Sequence, residues 1–310
     1  MKHYFYSAVL VLSSILFITI LPIAVQSTQD LLISYQVPAN NSDVAGVSKI
    51  NLPPISLNIQ VPFYSAKAVL VKDLTSGSVL YQKNASSRLP IASTTKIMTA
   101  LTSSEYFAQN TVLTVSQAAS IGGSTTGLYK GEVISFRSLL YGMLLNSGND
   151  AAFAIAENYP GGVVGFVSAM NKKVAQLNLK NTHFDNPAGF DSSNHFSSAF
   201  DLAKITEESL KNSNLTRVFS TKDTEVFSWD KKYKHQLHNL NKLLSQVSGV
   251  LGVKTGYTEQ AKENLVTLVD RKGHKILVVV LGSEDRFGES TNLIEWAYQN
   301  FTWSDQGIVQ

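Results

Sequence analysis

The stretch Pro90-Ile91-Ala92-Ser93-Thr94-Thr95-Lys96-Ile97-Met98-Thr99-Ala100 decides how this chain reads. A proline interrupts what precedes it, and apolar residues at helical spacing follow (Ile97, Met98, Ala100, Leu101), so a helix starts near Ser93. Lys96 returns to the same face one turn later, where its amine can take the proton of the Ser93 hydroxyl. The backbone N–H groups of that helix start point at any oxyanion developing there. Spacing alone is a weak signal. Ser228-Trp229-Asp230-Lys231 repeats it in a polar segment with no helix to present it, and a capping serine with an exposed lysine is the ordinary reading of such a pair.

Working outward, Ser147-Gly148-Asn149 falls at a break in a helical run and is followed by Asp150-Ala151-Ala152. A hydroxyl and an amide offered from one turn can relay a proton and hold a peptide carbonyl. A plain loop between helices gives the same letters, as Ser192-Ser193-Asn194 shows. Lys254-Thr255-Gly256 ends a predicted strand, where glycine admits a substrate backbone and Lys with Thr binds a carboxylate. Each motif is unremarkable by itself; their order and contexts agree.

The segments around these motifs alternate in type. Ala68 to Asp73 and Val79 to Lys83 read as strands joined by Leu74-Thr75-Ser76-Gly77-Ser78. From Thr94 the spacing is helical, continuing through Leu139 to Tyr159, Val163 to Leu177 and Ser198 to Leu210. Thr224 to Trp229, Gly249 to Thr255, Leu265 to Asp270 and Lys275 to Leu281 then read as strands, and Glu289 to Phe301 as a closing helix. Strands at both ends with helices between them imply an α/β domain whose sheet is completed by distant segments, with a helical subdomain inserted.

The N-terminus carries a different message. After Lys2, the uncharged stretch from Tyr4 to Val25 would span about 33 Å as a helix, enough to cross a hydrocarbon core. It reads as an export signal or, by preference, an uncleaved anchor with the remainder outside the membrane. Residues 26–64, with few charges and Pro38, Pro53, Pro54 and Pro62, read as a stalk. Residues 65–303 are then expected to form the domain that carries the three motifs and their chemistry, with its helical subdomain at about 105–215, and residues 304–310 a tail. Of the 310 residues 44% are hydrophobic and 16% charged, with a net charge of +3, a balance unlike that of a nucleic-acid clamp. The absence of cysteine removes thiolate metal sites, cysteine nucleophiles and cysteine-linked lipid anchors. His235 and His238, in a Lys-rich stretch, are expected to be solvated, and no histidine makes a case for zinc.

Taken together, the three motifs resemble those of the penicillin-binding, serine-type D-Ala-D-Ala carboxypeptidases of low molecular weight, peptidase family S11. His183-Phe184-Asp185-Asn186-Pro187-Ala188-Gly189, Asp201-Leu202-Ala203 and Gly252-Val253-Lys254-Thr255-Gly256-Tyr257-Thr258 extend the resemblance, which runs from about Ser65 to Phe301. It implies a β-lactamase/transpeptidase-like fold, an antiparallel sheet flanked by helices. It also implies that Ser93 is the acylated nucleophile, Lys96 its base, and Ser147 and Asn149 proton-transfer and positioning residues. Lys254, Thr255, Gly256, Tyr257 and Arg286 would bind substrate, with the Ser93 and Tyr257 N–H groups as oxyanion hole and Lys254 lowering the pKa of Lys96. No metal or organic cofactor is implied. The expected partners are stem peptides ending in D-Ala-D-Ala, β-lactams as covalent inhibitors, and a membrane through the N-terminal segment, on the extracytoplasmic face of a bacterial cell.

One stretch departs from the family pattern: Ala261-Lys262-Glu263-Asn264-Leu265 stands where small residues are usual, so the lip of the cleft is expected to differ. A DD-endopeptidase, a class A-like β-lactamase, and a weakly active wall-binding or β-lactam-sensing protein are the alternatives. The β-lactamase reading finds no Glu-x-x-x-Asn loop of the kind that activates the deacylating water in those enzymes, and the His183 to Gly189 stretch points the other way.

Overall fold

The computed structural model describes residues 52–303. The N-terminal apolar stretch, the first part of the expected stalk and the tail lie outside the described residues. In chain order the elements begin with β1 (Ile55–Ser56), β2 (Ala68–Asp73) and β3 (Val79–Lys83), then a 3-10 turn (Ala92–Thr95) running into α1 (Lys96–Tyr106). There follow β4 (Val112–Thr114), β5 (Val133–Ser135), α2 (Phe136–Leu144), α3 (Asn149–Glu157), α4 (Gly162–Gln176), α5 (Ala199–Leu210) and α6 (Ser213–Ser220). The chain continues with β6 (Asp223–Phe227), β7 (Lys234–His238), α7 (Leu243–Gln246), β8 (Val250–Thr258), β9 (Lys262–Arg271) and β10 (His274–Ser283), closing with α8 (Arg286–Asn300) and β11 (Phe301–Thr302).

The main sheet has the order β3-β2-β10-β9-β8, with every neighbouring pair antiparallel. Its central strands are buried on both faces, which explains why β10 reads as an unbroken apolar run rather than an alternating one. Leu277, Val279 and Leu281 face a core shared with α1, α2 and α5. Ile276, Val278 and Val280 face a second core closed by Leu293, Ile294 and Ala297 of α8. Burying each such side chain contributes about 1.5 to 3 kcal/mol, so the two cores clamp the sheet between helical layers. The fold is that of an α/β protein with an antiparallel sheet flanked by helices.

Differences from the sequence reading are local. The inserted helical part also contains the β4-β5 pair, whose three-residue strands are too short to show a period. The β6-β7 hairpin gains a strand over residues that read as polar loop, and α6, capped by the Asn212 side chain, occupies a segment left without an assignment. Residues 52–64, read as stalk, run along α8: Ile59 N–H donates to Asn300 Oδ1 (2.7 Å), and the Trp296 indole donates to Ile59 O (2.9 Å). His235 corrects its reading. The alternation of β7 turns it inward, 5% exposed, with Nε2 2.8 Å from Glu132 Oε1; His238 is exposed and bonded to Asp223.

Candidate active site

Ser93 lies half-buried in the 3-10 turn that leads into α1. Thr94 fixes this turn by donating both its N–H (3.2 Å) and its hydroxyl (2.7 Å) to Ile91 O. Ala92 is left-handed, φ +47°, a conformation that costs a residue with a side chain about 1 kcal/mol or more. Backbone strain is thus stored immediately before the serine.

One turn on, Lys96 is fully buried. Its Nζ lies 2.8 Å from Ser93 Oγ, 2.8 Å from Asn149 Oδ1 and 2.7 Å from Ala188 O. Burial, and next the charge of Lys254, hold its pKa well below the ordinary lysine range, against an opposing pull from Asp150. An ammonium has three N–H donors, matched here by three oxygens. Once one proton leaves, the two carbonyl oxygens retain the remaining N–H bonds and the lone pair faces the Ser93 hydroxyl.

Asn149 opens α3, anchored by its N–H to Ser124 O (2.7 Å) and by its Nδ2 to Gly122 O (2.9 Å). Beside it the buried Asp150 carboxylate accepts from the N–H groups of Thr126 (2.8 Å), Gly127 (2.9 Å) and Leu128 (3.1 Å). A carboxylate at a helix start thereby ties down the loop over the site. Ser147 lies in the break between α2 and α3, 3% exposed and left-handed at φ +58°. Its hydroxyl makes no hydrogen bond among the described residues, and its place in the turn, two residues before Asn149, is what relates it to the cluster.

The opposite wall is β8. Lys254 is 2% exposed and donates to Thr255 O (3.1 Å); burial, and next the Arg286 guanidinium, push its pKa down to about 7. Arg286, first residue of α8, donates from Nη1 to Gly256 O (2.8 Å) and from its N–H to Glu263 Oε2 (2.9 Å). Burial lowers the Arg286 pKa, opposed by Glu263. Gly256 explains the closeness of strand and turn: a Cβ there would sit 2.9 Å from Ile91 O and 3.1 Å from Ser93 N. Thr255 is buried beside it, and Tyr257 is half-exposed with its hydroxyl on Glu259 (2.9 Å). Of the departing residues, Glu263 holds the start of α8, and Asn264 is buried between Pro90 O (3.2 Å) and Gly282 N–H (2.7 Å).

Reading side chains missed a third wall. The Asn186 Oδ1 accepts from the N–H groups of Ala188 (3.2 Å), Gly189 (2.7 Å) and Phe190 (3.0 Å), aiming Ala188 O at Lys96. A Cβ on Gly189, φ +95°, would lie 2.0 Å from Ala92 O, so this loop too is pressed against the serine turn. His195 is buried, its Nδ1 accepting from Asp185 N–H (3.1 Å) and its Nε2 2.7 Å from Thr95 Oγ1. Burial first of all lowers its pKa to about 4, so the ring is neutral and Nε2–H donates to Thr95. The Asn186 motif was visible, but a main-chain carbonyl carries no letter of its own. The look-alike Ser228 instead donates to Asp230 (2.7 Å) in a surface turn, with Lys231 exposed. Among the described residues, no group of three or more His, Cys, Asp or Glu side chains is placed to hold a metal ion.

The arrangement is a serine hydroxyl against a depressed-pKa amine, facing a basic wall suited to a carboxylate. Comparison with known proteins agrees. The family described as D-alanyl-D-alanine carboxypeptidase, peptidase S11, matches residues 57–285. The D-alanyl-D-alanine carboxypeptidase DacF of Bacillus subtilis is 38% identical over 248 residues, covering 77% of this chain and 63% of that protein. The chain thus spans under two thirds of that relative's length. The D-alanyl-D-alanine endopeptidase of Pseudomonas aeruginosa is 32% identical over 262 residues, 82% of this chain and 84% of that one. The crystal structure of the Streptomyces K15 DD-transpeptidase superimposes with a TM-score of 0.73 at 31% identity, covering 78% of this chain and 100% of that one. By its matched span and these relatives, the chain belongs to the S11 family of D-alanyl-D-alanine carboxypeptidases.

Proposed function

We propose that the protein is a serine-type D-Ala-D-Ala carboxypeptidase acting on peptidoglycan stem peptides. The observation that carries this is the Lys96 amine, buried, depressed in pKa and 2.8 Å from Ser93 Oγ. Neutral Lys96 takes the hydroxyl proton as Ser93 Oγ attacks the carbonyl of the penultimate D-alanine. The tetrahedral oxyanion is received by the N–H groups of Ser93 and Tyr257. Its collapse breaks the C–N bond, and terminal D-alanine departs with its nitrogen protonated, Ser147 relaying that proton. Water then hydrolyses the Ser93 ester and regenerates the hydroxyl. Lys254, Thr255 and Arg286 hold the substrate's terminal carboxylate, Gly256 lets its backbone approach, and Asn149 positions a peptide carbonyl. A β-lactam follows the first half of this path and stays on Ser93.

The site acts, in this reading, outside the cytoplasmic membrane, held there by the apolar N-terminal segment. Among the described residues no helix is long and apolar enough to cross a membrane. Two measurements test the proposal. A fluorescent penicillin should label the protein covalently and fail on Ser93→Ala; absence of label on the intact protein overturns it. Mass spectrometry of a muropeptide with a pentapeptide stem should show loss of one D-alanine. Cleavage of cross-linked dimers alone would favour the endopeptidase reading that the Pseudomonas relative keeps open.

A further inference from the structure

A second concavity lies away from the serine. It occupies about 390 Å³ between α2 and the β6-β7 hairpin, within the volume range of small-molecule sites. Its walls combine two exposed aromatic rings, Phe227 (44% exposed) and Trp229 (62%), with the side chains of Arg137 and Tyr141. Trp229 is held in place by its N–H on Val133 O (2.7 Å), so the exposed ring stands on ordered backbone. Arg137 is exposed, and its guanidinium makes no hydrogen bond or ion pair among the described residues; it lies 5.8 Å from the Tyr141 ring centroid. Tyr141 is only 8% exposed, yet its hydroxyl has no hydrogen-bond partner among the described residues, and the residue lines this cavity and a smaller one beyond Arg137. A buried ring with an unpartnered hydroxyl, next to an unpaired guanidinium and two bare aromatic faces, is an arrangement with open donors and flat apolar platforms. Amphipathic rings bearing hydroxyl and acetamido groups fit such a surface: apolar faces on the aromatics, polar edges on the donors.

Position adds to this. On the cavity wall, Tyr141 stands three residues before the end of α2 at Leu144, and the helix leads into the turn that carries Ser147. β6 lines the cavity from Thr224 to Phe227, and the adjacent Asp223 pairs with His238, whose N–H bonds Asn146 Oδ1 (2.8 Å). The cavity thus flanks the segment that leads into the Ser147 turn.

We propose that this cavity binds the amino-sugar glycan strand from which the stem peptide hangs, resting on the function proposed above for the identity of that polymer. The subsite makes the enzyme favour stems on long glycan over free peptides.

Trp229→Ala and Arg137→Ala, both exposed and outside the serine cleft, test it on the full-length protein. Turnover of polymeric, un-cross-linked peptidoglycan should fall about tenfold in each, the effect of losing one good contact, with turnover of a free pentapeptide and penicillin labelling unchanged. Equal turnover of polymer by wild type and variants overturns the proposal. So does a parallel fall on both substrates, which would assign these residues to the fold. A tetramer of N-acetylglucosamine provides an arm independent of catalysis. It should perturb Trp229 fluorescence, a signal absent from Trp229→Phe; no perturbation overturns the proposal even if the enzyme proves active, and a perturbation supports it even if it does not.

Discussion

The Nζ of Lys96 and the Oδ1 of Asn149, fifty-three positions apart in the chain, meet at 2.8 Å in the interior. The amide oxygen can only accept, so it holds one N–H of the lysine in either charge state and leaves another direction for Ser93. Replacing that neutral acceptor by a carboxylate stabilises the ammonium. Asn149→Asp should therefore move the acid limb of β-lactam acylation to higher pH and slow acylation at pH 7 by about 10²-fold. Stopped-flow acylation across pH checks it, and an unmoved limb would show that Lys96 is not the group titrating.

Lys254 gives the opposite limb. With its pKa at about 7, raising the pH through that value removes the charge that the proposed mechanism sets against the substrate carboxylate. kcat/KM for a carboxylate-bearing peptide should rise as Lys96 loses its proton and fall above about pH 7, whereas a bound carboxylate shifts the falling limb of kcat upward. The bell in kcat/KM should lose its alkaline side in Lys254→Arg, measured with the same peptide.

The same lysine makes a stability prediction. In the unfolded chain it stays protonated to about pH 10.4, in the fold only to about 7, so between these values the unfolded state binds more protons and stability rises with pH. Below about pH 7 both states carry the charge and the penalty is complete. Lys254→Met should raise Tm at pH 6 by at least about 2 °C, with the gain shrinking towards pH 10. Calorimetry at the two pH values decides; a gain that grows with pH would refute the assignment.

Gly256→Ala should leave the fold intact and disable the site. Its Cβ would press on Ile91 O and Ser93 N, parting β8 from the serine turn. Acylation should fall by about 10²-fold or more, the scale of losing one oxyanion donor, with circular dichroism unchanged.

Asp150 is a stability residue beside the chemistry. Asp150→Ala strips a charged acceptor from the N–H groups of Thr126, Gly127 and Leu128 and should cost about 3 kcal/mol. Urea unfolding measures it. An effect under about 0.5 kcal/mol would mean that the loop finds other partners.

Much of the architecture was legible because its signals are local. Ala68 to Asp73 and Val79 to Lys83 read as the strands they form, and the break between α2 and α3 falls at the Ser-Gly-Asn motif. Strands of three residues such as β4 and β5 were not legible, being shorter than any period that could announce them. His235 misled because its neighbours are lysines, while the alternation of β7 and a partner 103 residues away bury it.

By itself the sequence determined the order of the chemistry along the chain: a serine at a helix start, a lysine one turn later, a glycine where a strand must pass close. Helix phase and the size of a side chain follow from adjacent residues, so a few letters suffice. Only the tertiary structure decided that the pKa of Lys96 is lowered and which oxygens surround its amine. Those depend on burial, on the ammonium of Lys254 and on the main-chain oxygen of Ala188, which long-range packing brings to one point.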